Sequence, residues 1–243
     1  MGILYVIATP IGNMEDVTVR ALRVLGEVDA LACEDTRRTP YLLERHNVRR
    51  PGVVFSCHEH NEDAARGRIL ALLDEGRSVA LCTNAGYPAI SDPGYGVVAA
   101  ARARGHRVEV LPGAGAVEAA LLASGLPTSS YTFKGFPPKK PGARRRFIEA
   151  EAALPHTLVF FESPHRVAVF LRDALDVLGD RMAAVCMELT KKFERVRSGY
   201  LSDLVAEFAE AEIRGEVSVV IAGSNPKFAR ASPRSEPRGT LRD

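Results

Sequence analysis

The stretch from Val79 to Gly96 restricts the possible folds of this chain more than any other. Ser78-Val-Ala-Leu-Cys82 is a short apolar run with a β-branched residue, bounded by polar and glycine residues, and it reads as a buried strand. The residues after it do not suit a hairpin turn. Thr83, Asn84, Gly86, Pro88, Ser91, Asp92, Pro93 and Gly94 make a long polar loop, after which Val97, Val98 and Ala101 resume the apolar pattern at helical spacing. A strand that hands over to a helix through such a loop is where open α/β sheets place ligands. The loop exceeds the roughly two to six residues of ordinary connections in these units. Its glycines and prolines fix a backbone that a ligand can approach closely.

The same succession recurs along the first half. Ile3–Ala8 is an apolar strand running into Thr9–Asp16, and Val17, Ala21, Leu22, Val24 and Leu25 mark an amphipathic helix for which Asp16 is a suitable N-cap. Ala30–Cys33 delivers Glu34-Asp-Thr-Arg37 to a strand tip, where Asp35 or Thr36 could equally cap the next helix. Val53–Ser56 ends in Cys57-His-Glu-His-Asn-Glu62, with Asn61 as a possible cap, and Val108–Leu111 leads into Pro112-Gly-Ala-Gly-Ala116 ahead of a helix of small residues. Residues 1–115 are therefore expected to form an α/β domain with a parallel sheet. Ser124-Gly-Leu-Pro127 breaks the pattern, and residues 116–223 are expected to form a second α/β domain. Its strands lie at Tyr131–Phe133, Thr157–Phe161, Ala183–Leu189 and Val217–Ile221, and its helices run from about Phe147 to Ala153, from Ser163-Pro164, and from about Leu201 to Glu212. Residues 224–243, rich in Arg, Ser and Pro, are expected to be a disordered basic tail.

Composition narrows the class. A hydrophobic content of 46% and a charged content of 26% suit a globular chain, no stretch approaches membrane-span length, and no signal pattern opens the sequence, so a cytoplasmic location is expected. Cys33, Cys57, Cys82 and Cys186 lie in or beside apolar runs without paired spacing, which fits buried free thiols rather than a disulfide framework or a zinc site. His58 and His60 beside Cys57 and Glu62 invite a metal reading, but all come from one segment, and imidazoles facing a substrate are the more useful expectation. No dinucleotide fingerprint, P-loop, serine elbow, HExxH or EF-hand pattern occurs. The formal charge is only +2, of which the residues from Ser224 onward contribute +3, so a basic patch on the body must be local. One runs from Lys134 to Arg146, with Lys134, Lys139, Lys140, Arg144, Arg145 and Arg146 and no acid.

The loaded loops are Pro10–Asp16, Glu34–Arg37, Asn84–Gly94 and Pro112–Ala116, joined from the second half by Glu162–Arg166, Glu188–Lys191 and Gly215-Glu216. A cleft between two α/β domains would draw them together. Their order also carries a resemblance. Leu4-Tyr-Val-Ile-Ala-Thr-Pro-Ile-Gly-Asn13, Asp16-Val-Thr-Val-Arg-Ala-Leu22, Cys33-Glu-Asp-Thr-Arg37, His60-Asn-Glu62, Ile90-Ser-Asp-Pro-Gly94, Leu111-Pro-Gly113, Ser124-Gly-Leu-Pro127, Gly135-Phe136, Phe161-Glu-Ser-Pro-His-Arg166 and Glu188-Leu-Thr-Lys191 follow one another as in one family. From about Leu4 to Gly223 the chain resembles the ribosomal RNA small subunit methyltransferase I family, in the tetrapyrrole-methylase-like (class III) group of S-adenosylmethionine enzymes.

The resemblance implies two α/β domains with S-adenosylmethionine in the cleft between them, in a homodimer. It implies 2′-O-methylation of a cytidine ribose in 16S rRNA of the small ribosomal subunit, at the position conventionally numbered 1402. Carried over residue by residue, the donor would lie near Pro10, Gly12, Asn84, Ala85, Gly86, Pro88, Ile90, Pro112, Gly113 and Ala114, with Gly135 and Phe136 nearby. Proton handling or substrate orientation would fall to Asp35, Lys191, Glu34 or Glu162, with His58 a further choice, although each could instead be a partner in a structural ion pair. Phosphates would meet Lys139, Lys140, Arg144, Arg145 and Arg146, with Arg37 and Arg166; the plain alternative for the first five is a solvated loop. No metal is implied. Two departures stand out. The family usually reads Ser-Asp-Ala-Gly-Thr-Pro where this chain has Thr83-Asn-Ala-Gly-Tyr-Pro88, and a helical carboxyl-terminal extension found in many members is replaced by the short basic tail. The same fold acting on a tetrapyrrole or another small acceptor, or a non-catalytic binder of donor or ribosome, are the competing readings.

Overall fold

The computed structural model describes residues 2–230. The chain divides into two compact units: one runs to Ala119 and includes Glu188–Glu194, and the other comprises Ala120–Met187 and the chain from Arg195 onward. The excursion of Glu188–Glu194 into the first unit interrupts the second, which no local sequence pattern announces.

Unit 1 carries β1 (Ile3–Ile7), α1 (Val19–Glu27), β2 (Ala30–Cys33), α2 (Arg38–Arg45), β3 (Val53–Ser56), α3 (Glu62–Asp74), β4 (Ser78–Cys82), α4 (Tyr95–Ala103) and β5 (Arg107–Leu111), and α5 (Ala116–Ser124) leads from it into the second unit. The strands form a sheet in the order β3-β2-β4-β1-β5, parallel throughout. Alternation along the strands explains the two-sided core. Leu4, Val6, Ala30, Ala32, Val79 and Leu81 meet Ile69, Leu73, Val97 and Ala101 on one face, while Ile7, Leu31, Cys33, Ala80 and Cys82 meet Ala21, Leu25 and Leu43 on the other. Each fully buried Leu or Ile side chain contributes roughly 1.5–3 kcal/mol. Because all five strands are parallel, the loops after β1, β2, β3, β4 and β5 leave at one edge of the sheet.

Some caps differ from expectation. Thr18, not Asp16, caps α1, its hydroxyl accepting the Ala21 amide, while Asp16 ends a short 3-10 turn. Asp35 turns its carboxylate onto the Arg37 amide, and Asn61 accepts the His58 amide, so neither caps a helix end with its side chain.

Unit 2 contains β6 (Tyr131–Phe133), α6 (Pro141–Glu149), β7 (Thr157–Glu162), α7 (Val167–Leu178), β8 (Met182–Met187), β9 (Arg195–Tyr200), α8 (Leu201–Phe208) and β10 (Val217–Ile221). The order is β6-β7-β10-β8-β9, with β6 and β7 parallel and the remaining pairs antiparallel. Its core joins Phe160, Val185 and Val219 to Ile148, Phe170, Leu171, Leu201 and Phe208 from the three helices. The basic segment is loop only through Lys140: α6 starts at Pro141, where proline suits the first helical turn, rather than near Phe147. β9 gives no strand signal in the sequence because it is an edge strand of largely exposed, polar residues, Arg-Val-Arg-Ser-Gly-Tyr. β8 stops at Met187 and α8 at Phe208, each short of the sequence expectation.

The start of the expected disordered tail is ordered. Ser224 donates to the Leu154 carbonyl at 2.7 Å, Pro226–Phe228 makes a 3-10 turn, and Arg230 pairs with Asp180 at 3.3 Å and with Asp203. The remainder of that expectation, residues 231–243, lies outside the described residues. All four cysteines are buried and none is joined in a disulfide. No described helix is long and apolar enough to cross a membrane.

Candidate active site

The loops at the carboxyl edge of the unit 1 sheet are locked to one another. Thr9 and Gly86 exchange backbone hydrogen bonds of 2.9 and 3.0 Å, and the Thr9 hydroxyl donates to the Thr83 carbonyl at 3.1 Å, so the loops after β1 and β4 form one body. The 83–94 loop holds Ala89 and Ser91 at φ 68° and 59°, conformations costly for residues with a Cβ. It is held there by the Ala89 amide on the Pro93 carbonyl at 3.1 Å and by the Gly94 amide donating to Glu62 Oε1 at 3.2 Å. Glu188 and Thr190 share that left-handed backbone at φ 52° and 65°, and the fifth such residue among those described, Asn47, follows α2. Non-glycine strain thus gathers in two loops of unit 1, as it does where backbone is shaped for a ligand.

The 188–194 segment packs onto the loop after β1. The Asn13 amide donates to Thr190 Oγ1 at 3.1 Å, and a Cβ on Gly12 would lie 2.4 Å from Lys191 Cγ, so only glycine fits. Lys191 Nζ lies 2.7 Å from Glu188 Oε1. On the other side of β1, the loop after β5 comes close: a Cβ on Gly113 would meet Ala8 Cβ at 3.0 Å. Tyr87 fixes that loop, its hydroxyl accepting the Gly113 amide at 3.0 Å and donating to the Gly113 carbonyl at 3.4 Å.

At the β2 tip the two acids differ. Asp35 gives both oxygens to the Arg37 guanidinium, at 3.0 and 2.8 Å, and accepts its amide at 2.9 Å. Those hydrogen bonds hold its pKa down at about 2. A carboxylate so acidic is a poor proton acceptor and is better suited, of the two roles expected for Asp35, to orienting a neighbour. Glu34 accepts the Asn84 amide on Oε2 at 3.1 Å, which joins the β2 and β4 loops. Asn84 Oδ1 and His58 Nδ1 are buried without a hydrogen-bond partner. Such atoms are costly unless a ligand or water completes them.

Unit 2 places its expected residues differently. The Glu162 side chain is fully buried; Oε1 accepts the Ser163 amide at 2.7 Å and faces Arg166 Nη2 at 2.5 Å, while Oε2 has no partner. Burial pushes its pKa up against the opposing pull of Ser163 and Arg166. Arg166 also donates to the Pro137 carbonyl at 3.3 Å. The basic segment is partly spent on acids distant in sequence. Arg144, with its side chain 4% exposed, pairs with Asp173 at 2.7 Å; Arg145 reaches Asp173 and Asp176 at 3.3 and 3.0 Å; Lys134 pairs with Glu151 at 2.5 Å. Arg144 is therefore a structural residue of unit 2 and not a phosphate contact, whereas Lys139, Lys140 and Arg146 are exposed.

The unit 1 edge thus gathers Pro10, Gly12, Glu34, Asp35, Arg37, Asn84, Ala85, Gly86, Pro88, Ile90, Pro112, Gly113, Ala114 and Lys191 on loops tied together by hydrogen bonds. Thr9, Glu62 and Thr190 also belong to this framework. The sequence places all three within motifs but assigns none of them this part, because what they do is a contact and not a motif. The edge combines close-lying backbone, buried acceptors and an exposed apolar side chain, Ile90 at 48% exposure, which suits a ligand with both polar and apolar parts. Among the described residues no group of three or more His, Cys, Asp or Glu side chains is placed to hold a metal ion.

Residues 3–205 match the family model described as tetrapyrrole (corrin/porphyrin) methylases. The chain is 46% identical over 226 residues to the ribosomal RNA small subunit methyltransferase I of Halalkalibacterium halodurans, covering 93% of this chain and 78% of that protein. It is 40% identical over 223 residues to the Thermotoga maritima protein of the same name, covering 92% and 99% respectively. Among solved structures, uroporphyrin-III-C-methyltransferase from Thermus thermophilus superposes with a TM-score of 0.63 at 25% identity, over 90% of this chain and 94% of that one. Diphthine synthase superposes at 0.68 and 15% identity, over 91% and 90%, a likeness of fold alone.

Proposed function

The chain belongs to the tetrapyrrole (corrin/porphyrin) methylase family and, within it, to the ribosomal RNA small subunit methyltransferase I family, and on that footing we propose that it methylates the ribose 2′-oxygen of a cytidine in 16S rRNA. The methyl donor is S-adenosylmethionine, and the acceptor is presented in the small ribosomal subunit. The single observation that carries this reading is identity of 46% over 93% of the chain to a relative bearing that name. In this reading the protein works in the cytoplasm as a homodimer.

Unit 1 fits the donor. Asn84 Oδ1, buried and unpartnered, offers it an acceptor; Pro112, Gly113 and Ala114 present backbone that Tyr87 holds still; Pro10, Gly12, Ala85, Gly86, Pro88 and Ile90 line the same edge. When bound, the donor supplies a methyl group already activated by its sulfonium charge. The protein's part is to align the 2′-hydroxyl and remove its proton. Glu34 takes that proton on Oε1, because the Asn84 amide occupies only Oε2 and leaves the other oxygen open. Asp35, held ionised, orients Arg37 toward the RNA, and Lys191 adds positive charge beside the loop of Gly12. In unit 2, Glu162 fixes Arg166, and Lys139, Lys140 and Arg146 meet phosphates.

Transfer of labelled methyl groups to small subunits lacking the modification, followed by nuclease mapping, tests the reading. Label on the cytidine 2′-oxygen supports it. No label, with the protein folded and donor-competent and a related enzyme active in parallel, overturns it and turns attention to a small acceptor.

A further inference from the structure

The strongest unpaired positive charge of unit 1 lies on α2 and the turn after it, not on the segment that composition singles out. Thr39, Leu42 and Leu43 of α2 are buried at 3%, 3% and 1% exposure. The opposite side carries Arg38, Tyr41 and Arg45, spaced i, i+3, i+7 and so stacked along one stripe. Tyr41 is 55% exposed between two arginines, so that its ring is open to solvent along that stripe. The chain then turns through Asn47 at φ 55° and exposes Arg49 and Arg50. Residues 37–50 hold five arginines against a single acid, Glu44.

These charges are not neutralised. Arg37 pairs with Asp35, but Arg38, Arg45, Arg49 and Arg50 form no ion pair among the described residues. On α6, by contrast, Asp173 and Asp176 take up Arg144 and Arg145. The stripe also adjoins the reaction edge. α2 begins at the β2 tip, where Arg38 acts on Asp35, and Arg50 acts on the Cys33 thiol at the end of β2. At its other end, His46 Nε2 lies 3.1 Å from the Met14 carbonyl in the loop after β1.

We propose that this stripe docks a single-stranded segment of the acceptor RNA, with phosphates on Arg38, Arg45, Arg49 and Arg50 and a base stacked on Tyr41. An aromatic ring set among arginines is the arrangement that holds unpaired nucleotides, whose bases are free to stack, while a duplex would meet the arginines alone. The inference rests on the RNA reading above and supplies the surface that delivers the strand to Glu34.

The test uses the full chain and four variants: Arg38→Gln/Arg45→Gln/Arg49→Gln/Arg50→Gln, Tyr41→Ala, Tyr41→Phe, and Arg102→Gln on exposed α4 as a control. Binding of a labelled single-stranded RNA is measured against salt, with donor affinity and thermal stability in parallel. Removing one phosphate contact lowers the log–log salt slope by about 0.7 for a single strand, so the fourfold variant should lose about 3. Tyr41→Ala should weaken binding by roughly 5- to 150-fold, with Tyr41→Phe retaining it. Donor affinity should not move. A fourfold variant within twofold of the parent, with an unchanged slope, overturns the proposal. So does a neutral Tyr41→Ala, and so does an equal loss of affinity for polyglutamate, which would mark a site for acidic protein. If the parent itself neither binds nor methylates small subunits, it is the acceptor reading that fails.

Discussion

Replacing Arg144 with methionine separates the reading of this residue from sequence from its place in the structure. A phosphate contact would cost RNA affinity and leave the fold intact. The structure sets the opposite expectation. Arg144 donates through Nε to Asp173 at 2.7 Å and through Nη1 to the Lys139 carbonyl at 3.1 Å, and the side chains of Arg144 and Asp173 are only 4% and 10% exposed. Breaking a buried pair from one side strands the other charge and costs roughly 3–5 kcal/mol. Arg145 still reaches Asp173 at 3.3 Å, which places the loss near the lower end, about 3 kcal/mol. For a chain of this size that corresponds to a melting point lower by about 6–12 °C. Thermal and urea unfolding measure it, and small-subunit binding against salt, taken well below the transition, should show an unchanged slope. Arg144→Met/Asp173→Leu should recover most of the stability, since an apolar pair of similar volume replaces a buried ion pair at little cost. A single variant that melts within about 2 °C of the parent, roughly the effect of a neutral surface change, and binds with a shallower slope would refute the structural assignment.

In unit 1, Tyr87→Phe leaves the Gly113 amide without its partner and should weaken donor binding by about fivefold, the worth of roughly 1 kcal/mol, with kcat near the parent value; unchanged donor affinity by calorimetry would show that the loop after β5 needs no pin. Glu34→Gln should lower kcat by about 10²–10⁴-fold. Asp35→Asn should cost far less, because a group held at about 2 is a poor proton acceptor; a loss of kcat as large as that of Glu34→Gln would make Asp35 the base. Glu162 has a folded pKa above its ordinary 4.5 because burial opposes its charge. Above the unfolded value the folded state binds the extra proton, so this group's contribution is complete below 4.5 and is lost as pH rises through the raised folded value. The urea midpoint of the parent should therefore fall relative to Glu162→Gln as pH rises from 4.5, and parallel midpoints would contradict a buried, charge-averse carboxyl.

The unit 1 fold is open to reading because each of its elements is a local pattern: a short apolar strand, a polar loop with glycine or proline, and a helix with one apolar face. Parallel strands buried on both faces give continuous apolar runs, which stand out in a sequence. Unit 2 is harder for the converse reason. β9 lies at the sheet edge with Arg195, Arg197 and Ser198 exposed, so it lacks an apolar run, and α6 opens on Pro141-Gly142, which resembles a loop until its place at a helix start is known. The ordering of Ser224–Arg230 depends on Leu154, Asp180 and Asp203, none of them nearby in sequence.

Sequence alone established the family, through motifs that keep their order from Leu4 to Gly223, and it placed glycine-containing loops after strands of the first unit. Which charges remain available to a substrate was settled only on folding. Arg144 and Asp173 are 29 residues apart, and Asn13 and Thr190 are 177 apart. Whether an arginine faces solvent or a carboxylate depends on such pairings. A stretch free of acids in the chain acquired acids in space, while the arginines around α2 kept their charge because the fold brought none to them. Spacing along a helix fixes the direction of a side chain, but only packing supplies the opposing charge and the low dielectric that decide whether it is spent on the fold.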